Sequence, residues 1–342
     1  MRRLFAALRC EGIDVGIMKV IVQIPCLNEQ EALPATLRDI PRQIEGVDEL
    51  EILVIDDGSM DRTVEVAREH GVDHIVRLNK THGLAKAFTA GLEASLRLGA
   101  DIIVNTDADN QYRGTDMPRL IGPVLKGEAD IVIGCRPIDD IEHFSWGKKV
   151  LQKVGSWVVS HLANLDVADV TSGFRAYSRD AALRINVLSD FTYTLETVIQ
   201  AGKKDLTLIC VSVGTNKVVR PSRLFSSTAS YVKRSLGTIV RIYSMYEPLK
   251  VFSYVGGLLW LGGMTLGARY LVFWARGQGW GHVQSLILAA VLLMLGFQTL
   301  VTGLMADLIS ANRKLIEDTL RRVRTLETSR ETGACGDGSS KC

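Results

Sequence analysis

The sequence lacks the cysteine spacing of a zinc site or of a disulfide-linked domain. Its 342 residues include six cysteines, and none of them belongs to a C-x-x-C pair. Closely spaced cysteine pairs mark structural zinc sites, and regular sets of cysteines mark small secreted scaffolds. We therefore expect unpaired thiols in a reducing compartment.

A convincing N-terminal signal peptide is also lacking, because residues 1–10 carry charge but no adequate apolar core. Met18 directly precedes the first predicted strand, so we assign residues 1–18 to an N-terminal extension. The net charge of the chain is only +2. No nucleic-acid partner is expected.

Apolar runs long enough to cross a bilayer are absent from the first 250 residues, but two follow. They cover residues 251–274, which include Arg269, and residues 283–306, which contain no charged side chain. A membrane-spanning helix needs about 20 apolar residues. A buried hairpin of a soluble domain is the alternative, but two runs of this length favour a transmembrane hairpin. We expect Arg269 to extend towards the headgroups.

Positive charge is concentrated on both flanks of this predicted hairpin. Residues 216–250 contain seven basic residues against one acid, and five basic residues lie between 313 and 324, whereas the connecting turn has only Arg276. The positive-inside rule therefore predicts cytoplasmic flanks and a cytoplasmic soluble domain. Attraction to anionic lipid headgroups also explains the basic excess. Helical spacing of apolar residues in 226–250 predicts an amphipathic helix in the membrane interface.

Before the hairpin, short apolar runs alternate with helical patterns. The predicted strands lie near residues 19–25, 51–57, 74–78, 102–104 and 130–134. Such alternation predicts a parallel sheet with helices on both faces. Ligands of such sheets bind at the carboxyl ends of the strands. Because Asn28, Asp56, Asp107 and Arg136 each lie at or just beyond the end of a predicted strand, we expect one site at that edge.

Two acids follow the predicted central strand. Asp107 and Asp109 are two residues apart, so in extended geometry their side chains point to the same side. Two carboxylates in this arrangement can hold Mg²⁺ or Mn²⁺ and leave positions for phosphate oxygens. Gln111 can add an oxygen ligand or support the site through a hydrogen bond. Taken alone, an acidic strand end is also typical of a solvated loop.

Four segments together carry a resemblance to a known family. They are IPCLNE at 24–29, VIDDGSMDRT at 54–63, NTDADNQY at 105–112 and DVTSGFRAY at 169–177. In this order and spacing they resemble family 2 glycosyltransferases with a GT-A fold. The resemblance implies an α/β, Rossmann-like mixed sheet with helices on both faces, which holds a nucleotide-sugar across the strand ends.

The resemblance also implies a donor site. By it, Pro25, Leu27 and Glu29 line the nucleoside pocket, and Asp56 contacts the base or the ribose. Many family members have an aromatic residue where Leu27 stands, so stacking on the base is not expected from this position. The donor is expected to be a UDP- or GDP-sugar.

The same resemblance makes Asp109 the principal metal ligand and assigns Asp107 to the metal or to the ribose. Transfer from a nucleoside diphosphate builds negative charge on the leaving group, which a cation would neutralise. Arg136, Arg220 and Arg223 are our candidates for binding that diphosphate or an acceptor phosphate. An exposed surface position is the alternative for each of these arginines.

The acceptor side is predicted from a second group of residues. Asp169 is the candidate carboxylate, with a helix cap or a structural hydrogen bond as the alternative. Ser172 and Gly173 predict a tight turn at the acceptor side, where Gly173 permits close backbone approach. Lys148 is a further candidate for the acceptor, or part of a solvated helix face.

The C-terminal part narrows the resemblance within family 2. A catalytic domain, an interfacial helix and a membrane hairpin resemble the polyprenyl-phosphate glycosyltransferases, which include dolichyl-phosphate mannose synthase. This implies a lipid phosphate acceptor at the bilayer surface. A phosphate monoester has its second pKa near ~6 and is largely dianionic at neutral pH, so no strong general base is needed. The chain lacks a Q-x-x-R-W segment, which argues against polymer synthesis.

We therefore expect a membrane-anchored, metal-dependent, inverting hexosyltransferase that acts on a polyprenyl phosphate at the cytoplasmic leaflet. One alternative is a glycosyltransferase for a lipid-linked hydroxyl, and another is a non-catalytic membrane scaffold. The oligomeric state stays open, a homo-oligomer included. The expected organisation is an extension (1–18), a GT-A domain (19–225), an interfacial helix (226–250), a transmembrane hairpin (251–306), a charged cytoplasmic helix (307–328) and a disordered tail (329–342).

Overall fold

The computed structural model describes residues 17–136, 156, 158–160, 162–187, 192–216, 237–241 and 243–336. The elements that position the site and the hairpin are, in chain order, β1 (Lys19–Cys26), α1 (Leu33–Asp39), β2 (Glu49–Asp56), α2 (Thr63–Glu69), β3 (His74–Arg77), α3 (Leu84–Arg97), β4 (Ile102–Asn105), α4 (Met117–Leu125), β5 (Ile131–Cys135), β6 (Arg175–Ser178), α5 (Arg179–Arg184), α6 (Thr194–Lys203), β7 (Leu208–Ser212), α7 (Pro248–Ala275) and α8 (Val283–Gly336).

These seven strands form one sheet in the order β3-β2-β1-β4-β6-β5-β7. Neighbouring strands are parallel except where β6 is involved, since β6 runs antiparallel to both β4 and β5. The mixed α/β sheet implied by the family resemblance is confirmed. The wholly parallel sheet predicted from the alternation pattern is wrong at β6, because the chain enters this strand from the carboxyl edge of its neighbours.

The reversed direction of β6 brings a distant segment to that edge. Asn105, the last residue of β4, pairs with Arg175, the first residue of β6. Residues 169–174, which lead into β6, therefore lie beside the turn at 106–111 that follows β4. The antiparallel strand thus joins two motifs that are more than 50 residues apart in the sequence.

The central strands form because they are short runs of Ile and Val that are buried on both faces. Every residue of β4 and β5 is buried, whereas β7 at the sheet edge is half-buried. Helix α3 packs closely on this layer: a β-carbon on Gly91 would lie 2.5 Å from Gln23 Oε1 and 2.9 Å from Ile55 Cδ1. Strands covered on both faces are typically continuous apolar runs of this kind.

A second compact unit comprises residues Val240–Thr319. Its two helices include candidate membrane spans at Pro248–Ala275 and Val283–Thr328. Backbones approach closely inside this hairpin, since a β-carbon on Gly256 would lie 3.1 Å from the carbonyl oxygen of Gly296. Small residues permit such close helix packing in a membrane.

The second apolar run and the charged segment after it form one helix rather than two. α8 continues from Val283 to Gly336. Residues 307–328, predicted as a charged helix, are therefore part of α8. The helix also continues beyond residue 329, where the sequence predicts the start of a disordered tail. The reason is local: no Gly or Pro interrupts residues 304–332. Of the predicted interfacial helix, the structure describes only 237–241 and 243–250, which are helical except at Glu247.

Candidate active site

The side of the carboxyl edge where the sequence predicts the donor is formed by the ends of β1 and β2. Cys26 pairs with Asp56, so the two strands end level with each other. The turns beyond them are joined by hydrogen bonds: the Asn28 backbone N–H donates to Ser59 Oγ at 2.9 Å, and the Met60 N–H donates to Asn28 Oδ1 at 2.9 Å. Asn28 has a φ of 56°, a left-handed conformation that asparagine tolerates well.

The residues predicted to hold the nucleoside lie on or beside this pair of turns: Pro25, Leu27, Glu29 and Asp56. The Asp56 side chain is fully buried, and its Oδ1 accepts from the Ser59 backbone N–H at 2.9 Å. Its Oδ2 lies 3.3 Å from Nε of Arg77, a residue at the end of β3 that the sequence analysis did not single out. A buried carboxylate beside a guanidinium is suited to polar recognition of a nucleoside.

The neighbouring acid, Asp57, has a different role. Its two carboxylate oxygens accept from the backbone N–H groups of His82 and Gly83, each at 2.8 Å. These groups immediately precede α3, so Asp57 anchors the start of that helix. Of the two adjacent acids, the structure therefore assigns Asp57 to the scaffold and leaves Asp56 at the site.

The two acids after β4 oppose each other electrostatically. Burial raises the pKa of Asp107 to about 7, and the negative charge of Asp109 adds to the increase. Asp109 Oδ1 accepts from the backbone N–H of Gln111 at 3.2 Å. Two neighbouring carboxylates destabilise each other's charged form, and a bound cation removes that penalty.

This acid pair fits a divalent cation that is shared with a substrate. The described residues contain no cluster of three or more His, Cys, Asp or Glu side chains suited to a metal. Two carboxylates leave several coordination positions open, and Mg²⁺ sites commonly fill such positions with phosphate oxygens and water. Asp107, Asp109 and Gln111 therefore provide an incomplete set of oxygen ligands, as a site for a metal–diphosphate complex requires.

On the other side of the site, Arg136 and Asp169 form a two-bonded ion pair. Arg136 Nε donates to Asp169 Oδ2 at 2.7 Å and Nη2 donates to Oδ1 at 3.3 Å. Nη2 also donates to Thr171 Oγ1 at 3.0 Å, and the guanidinium lies 5.6 Å from the centre of the Tyr112 ring. The anionic neighbours raise the pKa of Arg136 above its ordinary value despite the opposing effect of burial. The fold thus brings the two predicted site residues, Arg136 and Asp169, into direct contact.

The turn between Asp169 and β6 lies against Asp107. Ser172 is buried, and its hydroxyl donates to the Gly134 carbonyl at 2.6 Å. The Gly173 N–H donates to the Tyr112 hydroxyl at 2.9 Å. A β-carbon on Gly173 would lie 2.8 Å from both carboxylate oxygens of Asp107. The close approach predicted for the Gly173 backbone is therefore an approach to the Asp107 carboxylate.

Sequence reasoning missed the residues that support this arrangement from the interior. Asn105 is fully buried and donates through Nδ2 to the Gly173 carbonyl at 2.8 Å and to the Tyr193 hydroxyl at 2.9 Å. Its Oδ1 accepts from Gln23 Nε2 at 2.9 Å. Arg175 is also fully buried. Polar residues inside otherwise apolar strands were the available signal, since a buried polar side chain must find partners.

Three predicted site residues, Lys148, Arg220 and Arg223, lie outside the described residues. The structure thus places Asp107, Arg136 and Asp169 around one turn, and the predicted nucleoside residues at the adjacent strand ends.

The mixed α/β sheet has the GT-A fold of glycosyltransferases. Sequence comparison agrees: the model of the family described as "Glycosyl transferase family 2" matches residues 21–185. An undecaprenyl-phosphate mannosyltransferase from Micrococcus luteus is 33% identical over 176 residues, which cover 50% of this chain and 70% of that protein. The chain belongs to glycosyltransferase family 2 and is similar to its polyprenyl-phosphate glycosyltransferases.

Two further similarities concern the length of the chain and its fold. An undecaprenyl-phosphate 4-deoxy-4-formamido-L-arabinose transferase from Salmonella choleraesuis is 28% identical over 306 residues, covering 86% of this chain and 88% of that protein. The crystal structure of glucosyl-3-phosphoglycerate synthase from Mycobacterium tuberculosis with Mn²⁺, UDP-glucose and phosphoglyceric acid aligns with a TM-score of 0.55 at 22% identity, over 68% of this chain and 82% of that one. At this identity the structural match concerns the fold alone.

Proposed function

We propose that this protein transfers a hexose from a UDP- or GDP-sugar to a polyprenyl phosphate at the cytoplasmic leaflet, with inversion at the anomeric carbon. The main observation in support is the Asp107–Asp109 pair, which lies beside the Arg136–Asp169 ion pair at one edge of a GT-A sheet. The relatives named for undecaprenyl-phosphate transfer support the acceptor class. Family membership and direct in-line attack support inversion.

The donor is held by residues at the ends of β1, β2 and β4. Asp56 contacts the base or ribose, and Pro25, Leu27 and Glu29 line the nucleoside pocket. Asp107, Asp109 and Gln111 hold Mg²⁺ or Mn²⁺, which when bound neutralises charge on the departing diphosphate. Burial and the charge of Asp109 raise the pKa of Asp107, and this supports the role because a bound cation would offset both effects.

The acceptor phosphate is held by Arg136. A guanidinium matches phosphate oxygens, and Asp169 fixes its plane through the two hydrogen bonds at 2.7 and 3.3 Å. Asp169 also accepts from the Thr171 hydroxyl at 2.8 Å, so its carboxylate orients partners rather than serving as a general base. A phosphate monoester, being mostly dianionic at neutral pH, needs no such base. This supports a phosphate acceptor over a hydroxyl acceptor.

Further acceptor contacts are proposed for Ser172, Lys148, Arg220 and Arg223. The Ser172 hydroxyl donates to Gly134, so its contribution is to shape the turn beside the phosphate. The two candidate membrane helices at Pro248–Ala275 and Val283–Thr328 support an acceptor in the bilayer. The basic flanks of the hairpin support a cytoplasmic catalytic domain.

The test is transfer of labelled sugar from a panel of UDP- and GDP-sugars to polyprenyl phosphate. The full chain is assayed in detergent with Mg²⁺ or Mn²⁺, beside Asp109→Asn and a matched control, Asp205→Asn. Asp205 is exposed at the turn after α6. We expect labelled lipid with one donor class, loss in Asp109→Asn and retention in the control.

Other outcomes point to the alternatives. Transfer to polyprenyl alcohol but not to its phosphate would replace the acceptor with a lipid-linked hydroxyl. Absence of both transfer and metal-dependent donor hydrolysis would favour a non-catalytic scaffold.

A further inference from the structure

A buried arginine lies directly behind the candidate acceptor side. Arg175, the first residue of β6, has no exposed surface and is among the largest fully buried side chains of the described chain. Arginine is rarely fully buried, because its charge loses water that only a complete set of acceptors can replace. The hydrogen-bond partners of Arg175 therefore indicate its structural role.

The guanidinium of Arg175 donates to two carbonyls of the turn that precedes it. Nε donates to the Ser172 carbonyl at 2.7 Å, and Nη2 donates to the Val170 carbonyl at 2.6 Å. Nη1 donates to the Thr194 carbonyl at 3.1 Å and to Thr197 Oγ1 at 2.6 Å, both on α6. All four of these acceptors are neutral oxygens. The rigid fork of Arg175 thus ties the turn to the first turns of α6.

Carbonyls and side chains of residues 169–173 have different partners. The carbonyls of Val170 and Ser172 accept from Arg175, whereas the side chains of Asp169 and Thr171 accept from Arg136. The turn is therefore held between two guanidinium groups, one in the interior and one at the site.

A third carbonyl of the same turn is held by the neighbouring strand. Asn105, paired in register with Arg175, donates to the carbonyl of Gly173 at 2.8 Å. Gly173 in turn lies against the Asp107 carboxylate. The spacing between Asp107 and the Arg136–Asp169 pair thus depends on buried side chains and not on the sheet hydrogen bonds alone.

We propose that Arg175 is a positioning residue for glycosyl transfer, which holds the 169–173 turn so that Arg136 presents the acceptor phosphate to a donor bound at Asp107. This inference rests on the proposed function. Arg175 governs the transfer step, in which the acceptor takes part. Donor binding at the ends of β1 and β2 does not depend on Arg175. The donor side has its own hydrogen bonds, between the turns at Asn28 and Ser59.

The test compares Arg175→Lys with Arg179→Lys in the full chain in detergent. Lysine keeps the charge but cannot reach several carbonyls with one planar group. Arg179 is a matched control, because it also donates to a backbone carbonyl, that of Ala100 at 2.9 Å. It lies beyond the other end of β6, away from the 169–173 turn. The quantities measured are kcat and KM for polyprenyl phosphate, metal-dependent donor hydrolysis without acceptor, and the hydrogen-exchange rate of residues 169–174.

For Arg175→Lys we expect kcat/KM for the acceptor to fall roughly 10- to 100-fold, because small displacements of a reacting group are costly. Donor KM should stay within about twofold. Donor hydrolysis should fall less than transfer, because the turn touches Asp107 only through Gly173, and exchange of residues 169–174 should accelerate. Arg179→Lys should change none of these quantities. If Arg175→Lys does not fold, Thr197→Val is used instead, because it removes a single hydrogen bond to Arg175. It should change the same quantities in the same directions, with smaller magnitudes.

Two results would overturn the inference. Equal loss of transfer and donor hydrolysis would make Arg175 a general structural residue, and unchanged exchange in residues 169–174 would show that the turn does not depend on it. Failure of the proposed function has a different signature, since the wild-type chain itself would then transfer nothing to polyprenyl phosphate.

Discussion

Gly173 faces Asp107 so closely that a β-carbon on the glycine would lie 2.8 Å from both carboxylate oxygens. The same β-carbon would lie 3.0 Å from the Tyr193 hydroxyl. This contact joins the turn before β6 to the acid pair after β4. It explains why the residue must be glycine although its φ lies outside the left-handed region.

Gly173→Ala is expected to displace Asp107 and to weaken the proposed metal site. We predict that metal-dependent donor hydrolysis falls about 10-fold or more, because a side-chain shift of this kind misplaces a ligand. A Mn²⁺ titration of the hydrolysis rate measures the change. Gly122→Ala is the control, since a β-carbon there meets no atom within 4 Å. Normal Mn²⁺ affinity in Gly173→Ala would contradict the prediction.

Asp169→Ala should destabilise the fold as well as impair transfer. Asp169 is fully buried and pairs with Arg136, whose side chain is only 12% exposed. Removing one partner of a buried ion pair leaves an uncompensated charge and costs about 3–5 kcal/mol. Thermal unfolding in detergent checks this loss, with Glu128→Ala, at an exposed position, as the control. The double variant Arg136→Met with Asp169→Leu should recover much of the stability but none of the transfer.

The stability of the metal-free protein should fall as the pH rises towards neutrality. Asp107 has its pKa raised from 3.8 to about 7 by burial, with the charge of Asp109 adding to the shift. Between these pH values the unfolded chain binds fewer protons than the folded chain, so increasing pH favours unfolding. Melting temperatures in a chelator, measured from about pH 5 to pH 8, should show this decline.

Two comparisons make the pH prediction specific. Asp107→Asn should remove the decline, because the amide does not titrate. Excess Mg²⁺ should reverse it in the wild-type chain, because the cation binds the ionised carboxylates. A decline of equal size in Asp107→Asn would assign it to another group.

Cys210 should be the more reactive thiol of a neighbouring pair. Interaction with the Cys135 thiol lowers the pKa of Cys210 to about 7, and the same interaction, with burial, raises the pKa of Cys135. Thiolates are the reactive form, so iodoacetamide should modify Cys210 well before Cys26, whose pKa burial raises strongly. Mass spectrometry of the alkylated sites measures the order. Cys135→Ala should slow modification of Cys210 at neutral pH.

The pair of candidate membrane helices should not tolerate a large residue at Gly263. A β-carbon there would lie 3.0 Å from the Ala289 carbonyl and 2.8 Å from Leu293 Cγ. Gly263→Leu is expected to cost about 1–3 kcal/mol through overpacking. Gly257→Leu is the control on the same helix, since nothing lies within 4 Å of its β-carbon. Thermal stability and monodispersity in detergent compare the two, and equal behaviour would contradict the packing.

The sequence by itself determined the features that depend on neighbours in the chain. Buried strands are short Ile and Val runs, acids follow one of them at Asp107 and Asp109, and two apolar runs each exceed the thickness of a bilayer. The family resemblance carried by the four motifs predicted the GT-A fold, and this fold is confirmed. The resemblance also assigned donor and acceptor residues, and that assignment stays a prediction.

Only the tertiary structure decided how the acceptor side is assembled. The pairing of Arg136 with Asp169, the burial of Arg175 and the approach of Gly173 to Asp107 all join residues that are far apart in the chain or oriented by the antiparallel course of β6. No local pattern encodes strand direction or the partner of a buried charge, because both are set by packing across the sheet. The physical reason is that such contacts depend on the spatial course of the chain and not on residue spacing.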